Sequence, residues 1–308
     1  MRITMDVFSG RPNPSWRLIP KESQELAARI AGEAVNPDVW RPPTLGFRSF
    51  VVEADIDDPE WPVGLPYRFT VGESATGTVV TPPVVGSYSS LLGHQTEKDP
   101  AIDADNARWL LETAQGKVSD DILSVVQATL EAPPRPTPSV ATAQVEVESV
   151  LERATAPTLD SASCQPFLTP LRLGFWNSRT VRLYNNCYNY AANFVSNTLA
   201  QPGRRSGQVY VSFDCEAVVA AAAADGCMPA CEGTHRVLAL AIWPGFDFHW
   251  WRLHPDDIWA QKLGWWMATN RDNQGRVIGG GLTPEGCDRS PYNTFCGYFY
   301  APLGMQVI

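Results

Sequence analysis

Hydrophobic positions change their period along the chain, and each change marks an element. In MRITMDVF the apolar Ile3, Met5 and Val7 alternate with Arg2, Thr4 and Asp6, the period of two expected of a half-buried strand. SGRPNPSW then supplies two prolines and a glycine, so it reads as a fixed loop. PKESQELAARIAGE returns to helical spacing, with Leu26 and Ile30 on one face and Pro20 tolerated in the first turn. FRSFVVEAD and PYRFTVGES predict strands. SDDILSVVQATLEA predicts a helix: Ser119 can cap it, Asp120 and Asp121 favour its positive end, and Ile122, Val125, Val126, Thr129 and Leu130 share a face. APPRPTP, Ala132 to Pro138, stiffens the chain into an extended linker.

Beyond the linker, LYNNCYNYAANFVSNTLAQPG predicts a helix that begins near Cys187 and stops before Pro202 and Gly203. Positions 187, 191, 194, 195, 198 and 199 fall on one side of it, so Cys187 shares a face with Ala191, Phe194, Val195 and Leu199. HRVLALAIWPGFDFHWWRL predicts a hairpin, with strands from Val237 to Trp243 and from Phe248 to Leu253 around a PGFD turn. His249 opens its strand on the side of Trp251 and Leu253. The pattern divides the chain into an N-terminal α+β domain (1–132), a proline-rich linker (133–160) and a second domain (161–308).

Composition narrows the setting. The 308 residues are 44% hydrophobic and 19% charged, enough for two globular cores. A net charge of -9 opposes binding to a phosphate backbone, so nucleic acid is excluded as a partner. The longest uncharged runs fall short of the roughly 20 apolar residues that cross a bilayer, so no membrane partner is expected. MRITMDVFSG has an acid at Asp6 and no apolar stretch of signal-peptide length, which predicts a cytoplasmic protein. All seven cysteines lie in the second half, and without an export signal they are expected to be reduced thiols.

The candidate chemistry centres on Cys187. A thiol in a helix's first turn sits at the positive end of the dipole, which lowers its pKa and makes it a nucleophile. A small buried hydrophobe on an apolar stripe is the competing reading. Of the four histidines, His94 lies in the other domain and His254, in LHPDD, reads as an exposed turn, leaving His249 and His235 as bases. Cys215, Cys227, Cys231 and His235 are zinc-type ligands, but their spacing is poor and no metal is expected. Six tryptophans fall between Trp243 and Trp266, and they suggest an aromatic groove, with Trp250, Trp251, Trp265, Trp266 and Tyr188 as peptide-binding residues. TNRDNQGRVIGGG lacks the closing glutamate of a calcium loop and reads as a hairpin turn.

A helix-initiating Cys187, an antiparallel sheet bearing His249, and Gln261 twelve residues later resemble the papain-like peptidases of the NlpC class. The resemblance implies Cys187 as nucleophile, His249 as base and Gln261 as its orienter, or, in a competing register, His235 as base and His249 as orienter. Glutamine can hold an imidazole but cannot supply the charge of an acid. NNCYNYAAN, AQPG, DFHWWR and FCGYFYAPLG are similar to an uncharacterised bacterial family with this C-terminal half. DVFSGRPNPSW and LGFRSF are similar to proteins of crocagin-type ribosomal peptide biosynthesis. The resemblance implies an α+β protein with a papain-like C-terminal domain that binds a precursor peptide or helps to modify it, without a cofactor. The alternative is an active cysteine hydrolase using Cys187 and His249.

Overall fold

The computed structural model describes residues 1–31, 44–54, 61–62, 65–72, 100–132, 164–231 and 233–308. The fold is mixed α+β, as the pattern predicts. His94 and the linker assigned to 133–160 lie outside the described residues. Among the described residues no helix is long and apolar enough to cross a membrane.

The chain forms two compact units: Met1–Val7, Asn13–Pro42 and Phe47–Thr137 make the first, and Phe8–Pro12, Pro43–Gly46 and Pro138–Ile308 make the second. The main division between the units falls between Thr137 and Pro138. Two short N-terminal segments, however, belong with the second unit, because their backbone is tied to its side chains. Amides of Ser9, Gly10 and Arg11 bond Asp247 at 2.7 to 3.0 Å, and the Leu45 amide bonds Asn273 Oδ1 at 2.7 Å.

The first unit is an antiparallel sheet in the order β2 (Ser15–Arg17), β1 (Arg2–Asp6), β3 (Ser49–Glu53), β4 (Arg68–Val71). Helices α1 (Pro20–Arg29), α2 (Pro100–Thr113) and α3 (Asp120–Glu131) accompany it. Ile3, Met5, Phe50, Val52, Phe69, Leu26, Leu110 and Val126 are buried in its core. Alternation in β1 does not leave one face wet: Thr4 and Asp6 are buried too, and Asp6 accepts two hydrogen bonds from Arg48 at 2.8 and 2.6 Å. A paired carboxylate can be buried where a lone one could not. Gly72 sits at φ +69° where a Cβ would meet that of Ala107 at 2.2 Å, so glycine lets α2 approach the end of β4.

The second unit holds a sheet in the order β10 (Thr294–Pro302), β6 (Gly233–Trp243), β7 (Asp247–His254), β8 (Ile258–Lys262), β9 (Ala268–Thr269), with β5 (Cys164–Pro166) parallel to β6. The short helices α4 (Leu173–Trp176) and α5 (Arg179–Arg182) precede α6 (Cys187–Ala192), and α7 (Cys215–Ala224) follows. The helix at Cys187 is much shorter than its periodicity predicts. Asn186 caps it by accepting from the amides of Tyr188 and Asn189, and Asn193 ends it in the left-handed conformation at φ 54°. Phe194, Val195 and Leu199 therefore leave the helix, while Cys187 and Ala191 remain to pack with Leu238, Leu240, Phe248 and Trp250.

Candidate functional site

Strand β7 organises the site, because successive side chains leave it on opposite faces. Phe248 and Trp250 point to the face covered by α6 and share a core with Cys187. His249 and Trp251 leave on the other face, where the two rings meet edge-on at 4.4 Å. Gln261 lies opposite Trp251 in the antiparallel register and reaches His249.

Cys187 is fully buried, and its sulfur has the Phe248 carbonyl 3.9 Å away. Burial, with the carboxylate of Asp247 adding to it, pushes the thiol well above its ordinary range. This reverses the expectation of a helix-activated thiolate: six residues of helix do not offset removal from water. His249 faces away from the sulfur across the strand, so the expected nucleophile and base are not brought together. His235 does not replace it. It is buried on β6 on the side of Ala241, the residue opposite His249, but about 20 Å further along at roughly 3.3 Å per residue.

The pairing of His249 with Gln261 is present at 2.7 Å between Nε2 and Oε1. Gln261 Nε2 donates to the Arg271 carbonyl at 2.7 Å, which turns Oε1 toward the imidazole. The other ring nitrogen, Nδ1, lies 2.8 Å from the Ser9 hydroxyl. Ser9 Oγ donates to Tyr292 Oη at 2.7 Å, and Tyr292 donates to Asp247 at 2.5 Å. With one proton for each contact, the chain is complete when both imidazole nitrogens carry a proton and Asp247 is ionised. Asp247 is pushed up by burial and held back by the hydrogen bonds from Tyr292, Gly10 and Ser9. Ser9, His249, Asp247 and Tyr292 are all fully buried, so the network is a closed polar core.

Ser9 and Tyr292 were not among the residues the sequence singled out. The signal for Ser9 was its place in a loop fixed by two prolines and a glycine. Its partners, however, lie 238 and 283 positions away.

A second buried charge stands beneath α6. Lys262 donates to the carbonyls of Arg182, Asn185, Gly264 and Trp266 at 2.8, 2.5, 2.5 and 2.9 Å. Four oxygen dipoles thus replace water around the ammonium and hold the chain just before Cys187.

The expected aromatic groove is not formed by its central members. Trp250, Trp251 and Tyr188 are fully buried, Tyr188 stacking obliquely on Trp250 at 5.4 Å and donating to Asp225. Trp265 and Trp266 are half-buried, and the Arg182 guanidinium lies 5.3 Å from the Trp266 ring. In strands covered on both sides, large aromatics on either face become core.

Cys215 and Cys296 form a disulfide that ties the start of α7 to β10, and Cys231 is disulfide-bonded as well. The expectation of uniformly reduced cysteines is corrected here: only Cys187, Cys227 and Cys287 are free among the described residues, and all three are buried. The zinc-type set is dissolved by the same bonds. Among the described residues no group of three or more His, Cys, Asp or Glu could hold a metal.

No protein-family model matches the chain, and no solved structure matches it. Over 126 residues the chain is 40% identical to insoluble matrix shell protein 1 of Ruditapes philippinarum, a match that spans 40% of this chain and 83% of that protein. Identity at that level over most of a protein's length places two chains in one family. The chain belongs to the family of insoluble matrix shell protein 1.

Proposed function

We propose that the chain is a non-catalytic interaction module that holds a peptide or protein partner in a matrix outside the cytoplasm. The observation that carries this reading is the burial of Cys187 and His249 on opposite faces of β7. A hydrolase needs a thiol within reach of its base and an opening for substrate. A helix begun by Cys187 and packed on an antiparallel sheet that carries His249 and Gln261 supports a papain-like scaffold without its chemistry. The Cys215–Cys296 disulfide supports an oxidising compartment rather than the cytoplasm. The relative's name, that of an insoluble shell matrix protein, supports a structural role.

The test is to incubate the purified full chain with a mixed peptide library, read cleavage by mass spectrometry, and in parallel pass the library over the immobilised protein. Retention of a subset of peptides without new termini is expected. Turnover that disappears in Cys187→Ala would establish the hydrolase instead.

A further inference from the structure

The face of the sheet that carries α6 also carries two arginines that have no counter-charge among the described residues. Leu238 on β6 lies opposite Arg252 on β7, and alternation brings Arg236 and His254 to the same face. Arg252 is 1% exposed and Arg236 7%. Among the described residues neither forms an ion pair.

Part of each guanidinium is satisfied by the fold. Arg236 donates to the carbonyls of Pro302 and Leu303 at 3.2 Å. Arg252 donates to the Tyr190 carbonyl at 2.6 Å and stands 4.5 Å over its ring. The Nε–H of each arginine has no partner, and neither does the hydroxyl of Thr169. Thr169 belongs to the same place, since its carbonyl lies 2.8 Å from Nδ1 of His254. Burial, with the charge of Arg236 adding to it, brings Arg252 down to about 10, so the two cations feel each other. His254 brings no negative charge, and its Nε2 is engaged by the Tyr190 hydroxyl at 2.8 Å. Of the acids near them in sequence, Asp256 and Asp257 sit in the turn beyond β7, where Asp257 accepts from the Gly281 amide at 3.3 Å, Asp247 is held by the Ser9 and Tyr292 network on the other face, and Glu232 lies outside the described residues.

Two buried like charges, each with an unfilled donor, are costly unless something accepts from them. The group that suits them is negative and has several acceptor oxygens, since arginine's planar fork matches carboxylate and phosphate. The side chains flanking Thr169 are apolar and exposed, Phe167 at 44%, Leu168 and Leu171 at 36%, with Arg172 beside them. From residue 161 to 213 the chain contains five arginines and no Asp or Glu, although its net charge is -9. The apolar side chains and Arg172 beside Thr169 suit an anion carried on an organic group.

We propose that Arg236 and Arg252 form an oxyanion-binding site, taking a carboxylate, phosphate or sulfate group that accepts from both Nε–H groups and from the Thr169 hydroxyl. The site is separate from the Ser9–His249 network, which lies on the other face of β7.

The test uses the full chain in Tris chloride at fixed ionic strength, titrated calorimetrically with millimolar sodium sulfate, sodium phosphate, sodium acetate and sodium hexanoate. One saturable site per chain is expected for at least one oxyanion, and the tightest names the group the site takes. Arg252→Met should weaken it at least tenfold, and Arg252→Lys should recover part of the loss. Thr169→Val, which removes only a hydroxyl, should weaken it about fivefold with thermal unfolding in chloride unchanged. No saturable response to any oxyanion, an equal response to added chloride, or equal binding by Arg252→Met and Thr169→Val would each overturn the proposal.

Discussion

Nε2 of His249 meets Oε1 of Gln261 at 2.7 Å on one face of β7, while the sulfur of Cys187 packs with Phe248 and Trp250 on the other. Cys187→Ala is therefore a core substitution, expected to lower stability by about 1–2 kcal/mol and to leave ligand binding unchanged. Brief iodoacetamide treatment of the native protein should label Cys187 no faster than Cys227 or Cys287, each of which burial raises to about 12. Peptide mapping showing Cys187 labelled first would refute this account of the thiol.

His254 gives the stability a pH dependence with a definite sign. Burial, with Arg252 adding to it, lowers its pKa from 6.5 to about 4. The unfolded chain takes up a proton at His254 near pH 6.5 while the folded one does not, so its contribution is full above that pH. It is lost progressively as the pH falls toward 4, at most about 3 kcal/mol. Thermal unfolding from pH 8 to 4 should show a shallower decline in His254→Gln than in the parent chain. Parallel curves would mean that His254 titrates alike in both states.

Cys215 and Cys296 are 81 positions apart, so their bond removes much freedom from the unfolded chain. Breaking it in Cys215→Ala/Cys296→Ala is expected to cost about 4 kcal/mol, chiefly through the unfolded ensemble. Urea unfolding of the variant with and without dithiothreitol, beside the parent, checks this. An unaltered midpoint for the variant would show that the bond contributes nothing.

Lys262→Met keeps the length of the side chain and removes the ammonium. Four carbonyls lose their donor, and a loss of roughly 3 kcal/mol or more is expected. Hydrogen exchange should quicken first around residues 182–186 and 264–266, the stretches the ammonium joins. Exchange rising only at distant sites would argue against the cage as the cause.

Strands were legible because a period of two survives in a single sequence: the Val237–Trp243 and Phe248–Leu253 hairpin lies inside the observed β6 and β7. The placement of His249 with Trp251 follows from the same parity. That parity also forbids His249 from meeting a helix packed on Phe248 and Trp250, but only the tertiary packing says which face α6 takes. The helix at Cys187 was overread because Asn186, Asn189 and Asn193 act through side-chain bonds and a left-handed cap, while periodicity counts only apolar positions. Disulfide partners and the contact of Ser9 with Asp247 depend on residues brought together over long separations, about which local pattern is silent.

The segment Phe8–Pro12 belongs with a unit most of whose residues come much later in the chain. During synthesis from the N-terminus, the amides of Ser9, Gly10 and Arg11 emerge well before Asp247, the carboxylate they will serve. They wait in water for their acceptor, and the polar core closes only when Tyr292 has also left the ribosome. A fragment beginning at Pro138 would never acquire those donors and would carry a buried aspartate short of three hydrogen bonds. Phe8–Pro12 thus acts as a built-in partner segment for the last part of the molecule, and added separately as a peptide it should rescue a truncated chain.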